Sequence, residues 1–283
     1  MQFNMKWITF DKKKSQGPVI VFIGRRGTGK SYLVRDLLYY HQNLRRGIVM
    51  SDTEKLGDGF FSKHIPKCMI YEKYNTTTIQ QLLSTQKMEL KRIKKEKEAY
   101  GTSNIDARTF CLLDDCLYDK TWKNDEFMRK LFMNGRHWKV MLIITMQYPL
   151  GIPPNLRTNI DYTFILREPY KRNRKIIWEN YAGMFPTFDS FEQVMNQCTE
   201  NFECLVISNN AKSNKLVDQI FWYKAEKPPP FKLCEQRYWD YSKNLESDDD
   251  DDEPYDPNSG RQKKYQTITV KKSSGGRRNT GSW

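Results

Sequence analysis

A chain of 283 residues is long enough for one large α/β domain or two small ones, and its hydrophobic content of 38% indicates that part of it is solvated. The formal net charge of +13 favours a polyanionic partner, with nucleic acid ahead of an anionic membrane surface, and argues against an ordinary metabolic enzyme. No apolar stretch approaches the roughly 18–20 residues that a membrane span needs. The six cysteines include no C-x-x-C pair, which argues for a reducing compartment rather than for a zinc site or disulfides.

The first predicted element is a strand, Val19–Ile23, which follows a polar lead-in over residues 1–17 that lacks the apolar core of a secretory signal. The strand runs into Gly24–Ser31, whose letters G-R-R-G-T-G-K-S satisfy the pattern G-x-x-x-x-G-K-[ST], and Tyr32–Tyr40 then reads as a helix. Glycines let the backbone N–H groups wrap an anion, and the helix start adds a favourable dipole. The sequence therefore predicts a loop that binds a nucleoside triphosphate.

The residues of this loop have distinct expected roles. Lys30 reaches the β- and γ-phosphates, and the Ser31 hydroxyl ligates Mg²⁺. The other expected nucleotide-binding residues of the loop are Gly24, Arg25, Arg26, Gly27, Thr28 and Gly29. An ordinary glycine-rich turn before a helix is the alternative, which the complete motif and its context disfavour. ATP and Mg²⁺ are the expected ligands.

Two shorter elements are predicted after the first helix. Gly47–Met50 reads as a second strand, and it ends in a polar cluster that contains Asp52 and Glu54. These two acids are possible site residues, although capping of the loop is the favoured explanation. Cys68–Tyr71 adds another short strand.

A long basic helix is predicted as an insertion at about residues 76–100. Its apolar face has the spacing of a helix and consists of Ile79, Leu82, Leu83, Gln86, Leu90 and Ile93. Its opposite side carries Lys87, Lys91, Arg92, Lys94, Lys95 and Lys97. Contact with DNA phosphates and a merely solvated face, partly balanced by glutamates, are equally favoured for this side.

An acid pair follows the next strand, Phe110–Leu113. Asp114 lies where P-loop proteins place the carboxylate that orients Mg²⁺, and the adjacent Asp115 is positioned to polarise the attacking water. P-loop kinases and GTPases commonly lack the second acid, which is typical of P-loop ATPases with an additional catalytic strand. Two acids that merely cap a strand end are the weaker alternative.

A helix is predicted at Asp125–Asn134, and a buried strand at Val140–Thr145 comes after it. Polar residues follow this strand as well. Gln147 is predicted to sense the γ-phosphate, ahead of an ordinary loop role. Arg157 lies in the following loop, from which an arginine can stabilise transition-state charge at a neighbouring subunit's nucleotide. The residues alone do not decide whether Arg157, Arg136 or Arg167 has this role.

The predicted fold class is α/β, a P-loop NTPase with a mainly parallel central sheet flanked by helices. Further strands are expected at Tyr162–Leu166 and Cys204–Ile207, with Phe221–Tyr223 as a possible edge. The ATPase domain is predicted over residues 18–228, and residues 229–283 form a C-terminal extension. From about residue 244 this extension is expected to be a disordered tail, acidic and then basic, because S-D-D-D-D-D-E at Ser247–Glu253 repels itself.

The order of these motifs resembles the genome-packaging ATPases of nucleocytoplasmic large DNA viruses, the poxvirus-type members of the FtsK–HerA superfamily. The motifs are Gly24–Ser31, L-L-D-D at Leu112–Asp115, N-G-R-H-W at Asn134–Trp138, T-M-Q-Y-P at Thr145–Pro149, P-P-N-L-R-T-N-I-D at Pro153–Asp161 and C-T-E-N-F-E-C-L-V-I at Cys198–Ile207. The resemblance covers residues 17–226 and implies a RecA/FtsK-like sheet with the additional strand. Cellular relatives usually place glutamate where Asp115 stands, so the shorter side chain requires further closure of the site or an extra water.

The resemblance also implies a function. The implied function is that of an ATPase that forms a homo-oligomeric ring. The ring drives double-stranded DNA of any sequence into viral capsids. Capsid or portal-vertex proteins are the implied partners, Arg157 is the implied arginine finger, and the host cytoplasm (viral factory) or the virion is the implied location. A helicase-like motor is the alternative function, and a P-loop small-molecule kinase or a non-catalytic scaffold is disfavoured.

Overall fold

The structure, a computed structural model, describes residues 1–12, 16–54, 59–116 and 120–249. The chain divides into two units, residues 1–243 and 244–283, and the described part of the second unit, residues 244–249, is helical. The predicted acidic and basic tail lies mainly beyond residue 249, outside the described residues. No helix of the described residues is long and apolar enough to cross a membrane.

In the part of the chain that the structure describes, eight strands form a single sheet with the spatial order β3-β2-β4-β5-β1-β6-β7-β8. The strands are β1 (Val19–Ile23), β2 (Gly47–Ser51), β3 (Ile70–Tyr71), β4 (Thr109–Asp114), β5 (Val140–Met146), β6 (Tyr162–Ile165), β7 (Glu203–Ser208) and β8 (Ile220–Lys224). The strands β1 to β6 pair in parallel, whereas β7 runs antiparallel to both of its neighbours. The prediction of a mainly parallel α/β sheet is confirmed, and β5 is the additional strand between the strands of the phosphate loop and the acid pair.

The described residues form eight α-helices, two of them single turns. The helices are α1 (Lys30–Tyr40), α2 (Thr76–Tyr100), α3 (Glu126–Asn134), α4 (Pro154–Arg157), α5 (Lys171–Tyr181), α6 (Phe188–Cys198), α7 (Leu216–Gln219) and α8 (Gln236–Asp249). Asn75 caps the start of α2 by accepting a hydrogen bond from Thr78 N, and Gly101 ends it in a left-handed conformation. The predicted helix at about residues 76–100 is therefore present with its expected bounds.

Both faces of the sheet are buried, because successive residues of the central strands enter two different cores. Val19, Val21 and Ile23 of β1 pack into the core that α2 to α6 cover. Ile20 and Phe22 face the opposite core, which α1 and the N-terminal segment cover. Such two-sided burial explains why β1, β4 and β5 are continuous apolar runs without alternation.

The prediction of a polar lead-in before β1 is wrong for the described residues 1–12. Phe3, Met5, Ile8 and Phe10 are buried in the core beside α1. Phe3 N donates a hydrogen bond to the carbonyl oxygen of Trp222 in β8. Asn4, Lys6 and Thr9 alternate with these apolar residues, and residues 11–17 are polar, so the average composition of the segment conceals their burial. The compact unit also continues beyond residue 228, since Leu233 is fully buried.

Candidate nucleotide-binding site

The carboxyl ends of β1, β4 and β5 meet at one edge of the sheet, as parallel neighbours must. In the sheet, Asp114 of β4 pairs with Ser51 of β2 on one side and with Thr145 of β5 on the other. Ile23 of β1 pairs with Met146 of β5. Each of these strands is followed directly by a polar loop. The edge therefore gathers residues that lie far apart in the sequence.

The phosphate loop between β1 and α1 owes its shape to its glycines. Gly27 and Gly29 have φ angles of 78° and 105°, a left-handed region that side chains with a Cβ rarely adopt. A Cβ on Gly24 would lie 2.7 Å from Thr28 Oγ1 and 2.9 Å from Leu166 Cβ. Thr28 Oγ1 also donates to the carbonyl oxygen of Arg25 at 2.7 Å, so the turn is closed by its own side chain.

Lys30 lies across this loop and is 6% exposed. Its Nζ donates to the carbonyl oxygen of Gly24 at 2.9 Å and lies 3.4 Å from Asp115 Oδ2. The ammonium group thus joins the phosphate loop to the acid pair. Ser31, the second residue of α1, is half-buried beside it.

Asp114 is buried, and two hydroxyl groups hold its carboxylate. Thr145 Oγ1 donates to Oδ1 at 2.8 Å, and Ser51 Oγ donates to Oδ2 at 3.0 Å. Burial raises the pKa of the Asp114 carboxyl above its usual value, against the lowering effect of these two hydrogen bonds. A bound cation would favour the charged form that burial disfavours, which suits a metal-binding role.

Asp115 adopts a left-handed backbone conformation, with φ of 50°, which is unusual for a residue with a side chain. Its N–H donates to Thr145 Oγ1 at 3.0 Å, and its Oδ2 accepts a hydrogen bond of 3.0 Å from Gln147 Nε2. Its Oδ1 is buried, with no hydrogen-bond partner among the described residues. This oxygen has an unused acceptor position next to the phosphate loop, where a water molecule or a hydrated cation would satisfy it.

Residues 24–31, 114, 115 and 147 supply a donor set that fits Mg²⁺ and nucleotide phosphates. A hydroxyl at Ser31 and a carboxylate at Asp114 are the oxygen ligands that Mg²⁺ prefers. The unpartnered Asp115 oxygen and the preformed loop are the observations that support this fit.

The sequence analysis assigns no role to Thr145 or to Ser51, although Thr145 begins the motif T-M-Q-Y-P. Thr145 donates to Asp114 and accepts from the main chain of Asp115, so it couples the two acids. A further signal in the sequence is that Thr145 is polar within the apolar run V-M-L-I-I-T-M. Recognising Ser51 requires the register between β2 and β4, which the sequence does not give.

Of the two acids after β2, Glu54 caps its own loop. Its carboxylate oxygens accept hydrogen bonds from Phe61 N at 3.0 Å and Ser62 N at 2.6 Å. This is the explanation that the sequence favoured for Glu54.

The three arginines that the sequence left ambiguous lie in different places. Arg157 donates to the carbonyl oxygen of Ile152 and to Asn180, and its guanidinium carbon lies 5.6 Å from the centre of the Tyr181 ring. Within the described residues it contacts neither the phosphate loop nor the acid pair.

Arg136 and Arg167 lie at opposite edges of the sheet. Arg136 pairs with Asp161 at 2.6 Å, and Asp161 also accepts from Val19 N at the start of β1. Arg136 therefore braces the amino edge, away from the candidate site. Arg167 is exposed just beyond the carboxyl end of β6.

The two arginines of the phosphate loop are both exposed. The guanidinium carbon of Arg25 lies 4.9 Å from the centre of the Tyr170 ring, which is a cation–π contact.

Comparisons of sequence relate the chain to proteins of large DNA viruses. It is 36% identical over 226 residues to uncharacterized protein L437 of Acanthamoeba polyphaga mimivirus, across 80% of this chain and 76% of that protein. It is also 36% identical over 213 residues to uncharacterized protein 075L of Invertebrate iridescent virus 6, across 74% and 78% respectively. No protein-family model matches the chain.

Comparisons of structure relate the fold to known ATP-binding folds. The pCW3 conjugation coupling protein TcpA, in its monomer form with ATPγS, has a TM-score of 0.51 at 14% identity, across 87% of this chain and 73% of TcpA. The genome packaging NTPase B204 from Sulfolobus turreted icosahedral virus 2 has a TM-score of 0.49 at 14% identity, across 75% and 98%. At this identity, the TcpA match establishes the fold alone.

Proposed function

The chain belongs to a family of FtsK–HerA-type P-loop ATPases of large DNA viruses, and from this premise we propose that it is an ATP-driven motor that packages double-stranded DNA into capsids. The observation that carries the proposal is the arrangement at the carboxyl edge of the sheet. Lys30, the Asp114–Asp115 pair and Gln147 lie at the carboxyl ends of three adjacent strands, β1, β4 and β5, and Asp115 contacts both Lys30 and Gln147. A hydrolytic site of this kind needs a phosphate loop, a carboxylate for the metal and a second carboxylate for water.

Each of these residues has a proposed part in hydrolysis. The loop amides and Lys30 bind the phosphates, and Asp115 accepts a hydrogen bond from the attacking water through its unpartnered Oδ1. Gln147, which donates to the other Asp115 oxygen, orients that carboxylate and senses the γ-phosphate. Mg²⁺ held by Ser31 and Asp114 would neutralise charge on the β- and γ-phosphates.

The left-handed backbone at Asp115 compensates for the short side chain. Cellular relatives of the resembled family usually have a glutamate here, which is one methylene longer. A φ of 50° turns Asp115 out of the strand direction, and its carboxylate reaches both Lys30 and Gln147. We propose that the backbone turn does in this chain what the extra methylene does in those relatives.

The remaining features of the proposal concern assembly. A homo-oligomeric ring would bring Arg157 of one subunit to the nucleotide of the next, and basic residues would contact DNA phosphates without reading sequence. The net charge of +13 supports a polyanionic partner. Capsid or portal-vertex proteins are the proposed further partners, in the host cytoplasm or the virion.

Measurement of phosphate release with MgATP, alone and with duplex or single-stranded DNA, tests this proposal. We expect duplex DNA of any sequence to stimulate hydrolysis and the native mass to be that of a ring. Lys30→Ala and Asp115→Asn should each reduce turnover at least about 100-fold. Stimulation by single strands alone would favour a helicase-like motor, and unchanged hydrolysis in both variants would reject the site.

A further inference from the structure

An exposed aromatic ring touches the phosphate loop on the side away from the acid pair. Phe202, in the turn between α6 and β7, is 68% exposed, and a Cβ on Gly29 would lie 3.6 Å from its Cδ1. Within the described residues, no other ring and no cation stacks on Phe202. A large aromatic side chain that packs against a partner is usually far less exposed than this.

The turn that presents Phe202 is strained. Asn201 and Phe202 have φ angles of 50° and 64°, so two successive residues with side chains adopt the left-handed conformation. A hydrogen bond of 2.8 Å from Glu203 N to the carbonyl oxygen of Glu200 closes the turn. Strain of this kind persists where the surrounding structure imposes it, and it often marks a functional position.

The order of the strands fixes which end of a nucleotide would lie near Phe202. The acid pair and Gln147 follow β4 and β5, on one side of β1, so the γ-phosphate must point to that side. The turn that contains Phe202 precedes β7, on the other side of β1, and β7 runs antiparallel, so its start lies at the same edge as the phosphate loop. The base, at the opposite end of the nucleotide from the γ-phosphate, therefore extends towards β7.

The distance also suits a base. Strands lie about 4.8 Å apart, so β7 lies roughly 10 Å from β1. In a nucleotide, the α-phosphate and the ribose occupy the space between the β-phosphate and the base. We propose that Phe202 is the stacking platform for the nucleobase, so that the nucleotide spans from Asp115 to Phe202. This inference rests on the proposed nucleotide binding at Gly24–Ser31.

Stacking on one ring face contributes affinity without selecting a base by hydrogen bonds, because every purine has a π-face. The platform therefore acts on purine nucleoside di- and triphosphates alike and has no effect on phosphates that lack a base.

Calorimetry with MgADP, MgGDP and magnesium pyrophosphate tests the inference on the full chain. Phe202→Leu removes the aromatic face but keeps an apolar side chain of similar size, and Phe202→Trp keeps the stack. We expect Phe202→Leu to weaken ADP and GDP about tenfold, the scale of one lost base–aromatic stack, and to leave pyrophosphate unchanged. Phe202→Trp should bind ADP as tightly as the wild type.

Steady-state hydrolysis supplies a second readout, since a base contact is equal in the ground and transition states. Phe202→Leu should raise KM for ATP about tenfold and leave kcat unchanged. Tyr100→Leu is the matched control, because Tyr100 is an 81% exposed aromatic at the far end of α2. It should change neither quantity.

The outcomes separate this inference from the proposed function. If Phe202→Leu binds ADP as tightly as the wild type, or loses pyrophosphate and ADP equally, Phe202 is not a base platform and the proposed function stands. If the wild type binds no MgADP, the proposed function fails, and the inference fails with it.

Discussion

The Thr145 hydroxyl forms hydrogen bonds with both acids of the candidate site. It donates to Asp114 Oδ1 and accepts from Asp115 N, and Thr145 itself is fully buried. The proposed metal ligand and the proposed water-activating carboxylate are thus held in place by one side chain. The unusual backbone of Asp115 depends on the same hydroxyl, because it is the acceptor for the Asp115 amide.

Replacement of Thr145 by valine should therefore impair hydrolysis without removing any proposed catalytic group. Valine has nearly the same shape but offers neither the donor nor the acceptor. We expect kcat for ATP to fall about tenfold or more, the scale of losing a hydrogen bond to a charged group. Phosphate release measures this effect, and Thr145→Ser should preserve most of the activity because it keeps the hydroxyl.

Thr163→Val provides the matched comparison. Thr163 is a buried threonine of β6, remote from the acid pair. Equal losses of activity in Thr145→Val and Thr163→Val would mean that the loss reflects general disturbance of the sheet.

At the scale of whole elements, α2 is anchored by a polar residue within its apolar face. Gln86 is fully buried, and its Nε2 donates to the carbonyl oxygens of Ala107 and Trp138, each at 2.7 Å. Its Oε1 accepts a hydrogen bond of 2.7 Å from Arg46 Nη2. One side chain thus ties α2 to the segments that enter β4 and β5.

Gln86→Met should destabilise the protein although it makes the helix face more apolar. The substitution leaves two buried carbonyl groups and a guanidinium N–H without a partner, which costs roughly 1–3 kcal/mol of unfolding free energy. Urea unfolding measures the difference. Gln81→Met, at an exposed position of the same helix, should stay within about 0.5 kcal/mol of the wild type, and equal midpoints for the two variants would contradict the anchoring role.

The elements that could be predicted from the sequence are those with a strong local signal. β4 and β5 are continuous apolar runs, and α2 has a clear helical period with a cap at each end. α5 was not predicted, because K-R-N-R-K-I-I-W-E-N-Y has few apolar residues and only Ile177 and Tyr181 are buried. Antiparallel pairing of β7 also has no local signal, since it depends on which strand lies next to it.

The candidate site likewise combines residues that have a local sequence signal with residues that have none. The phosphate loop, the acid pair and Gln147 follow their strands directly, so local motifs were enough to identify them as candidates. Thr145, Ser51 and Phe202 matter because of neighbours that are distant in the sequence, and only the order and register of the strands bring them to the site.

At the scale of the whole molecule, the proposed assembly into a ring gives Arg157 its proposed role. Within one subunit, its guanidinium donates to Ile152 O and Asn180 and lies over Tyr181. An arginine finger that acts on the next subunit would have to exchange the Asn180 contact for a phosphate. Arg157 is half-buried at the end of α4, and that exchange would take place in the proposed ring.

Subunit mixing tests the proposed action of Arg157 across subunits. Arg157→Ala and Lys30→Ala should each reduce ATP hydrolysis, the former by about a thousandfold, the scale of a lost arginine finger. When the two variants are mixed, some Arg157→Ala sites lie beside a Lys30→Ala subunit whose arginine is intact. We expect partial recovery of phosphate release in the mixture, at a level set by the fraction of such interfaces.

The control for this prediction is a mixture of Arg157→Ala with the Lys30→Ala/Arg157→Ala double variant, which contains no arginine to donate and should stay inactive. Asn180→Ala removes the contact within the subunit and should leave hydrolysis in the ring intact, because Arg157 is then free to reach the neighbouring site. If mixing restores nothing, and Arg157→Ala and Asn180→Ala lower the thermal unfolding midpoint equally, then Arg157 only braces α4 against α5. In that case the proposed finger would have to be a different arginine, and the exposed Arg167 at the carboxyl end of β6 would be the first to test.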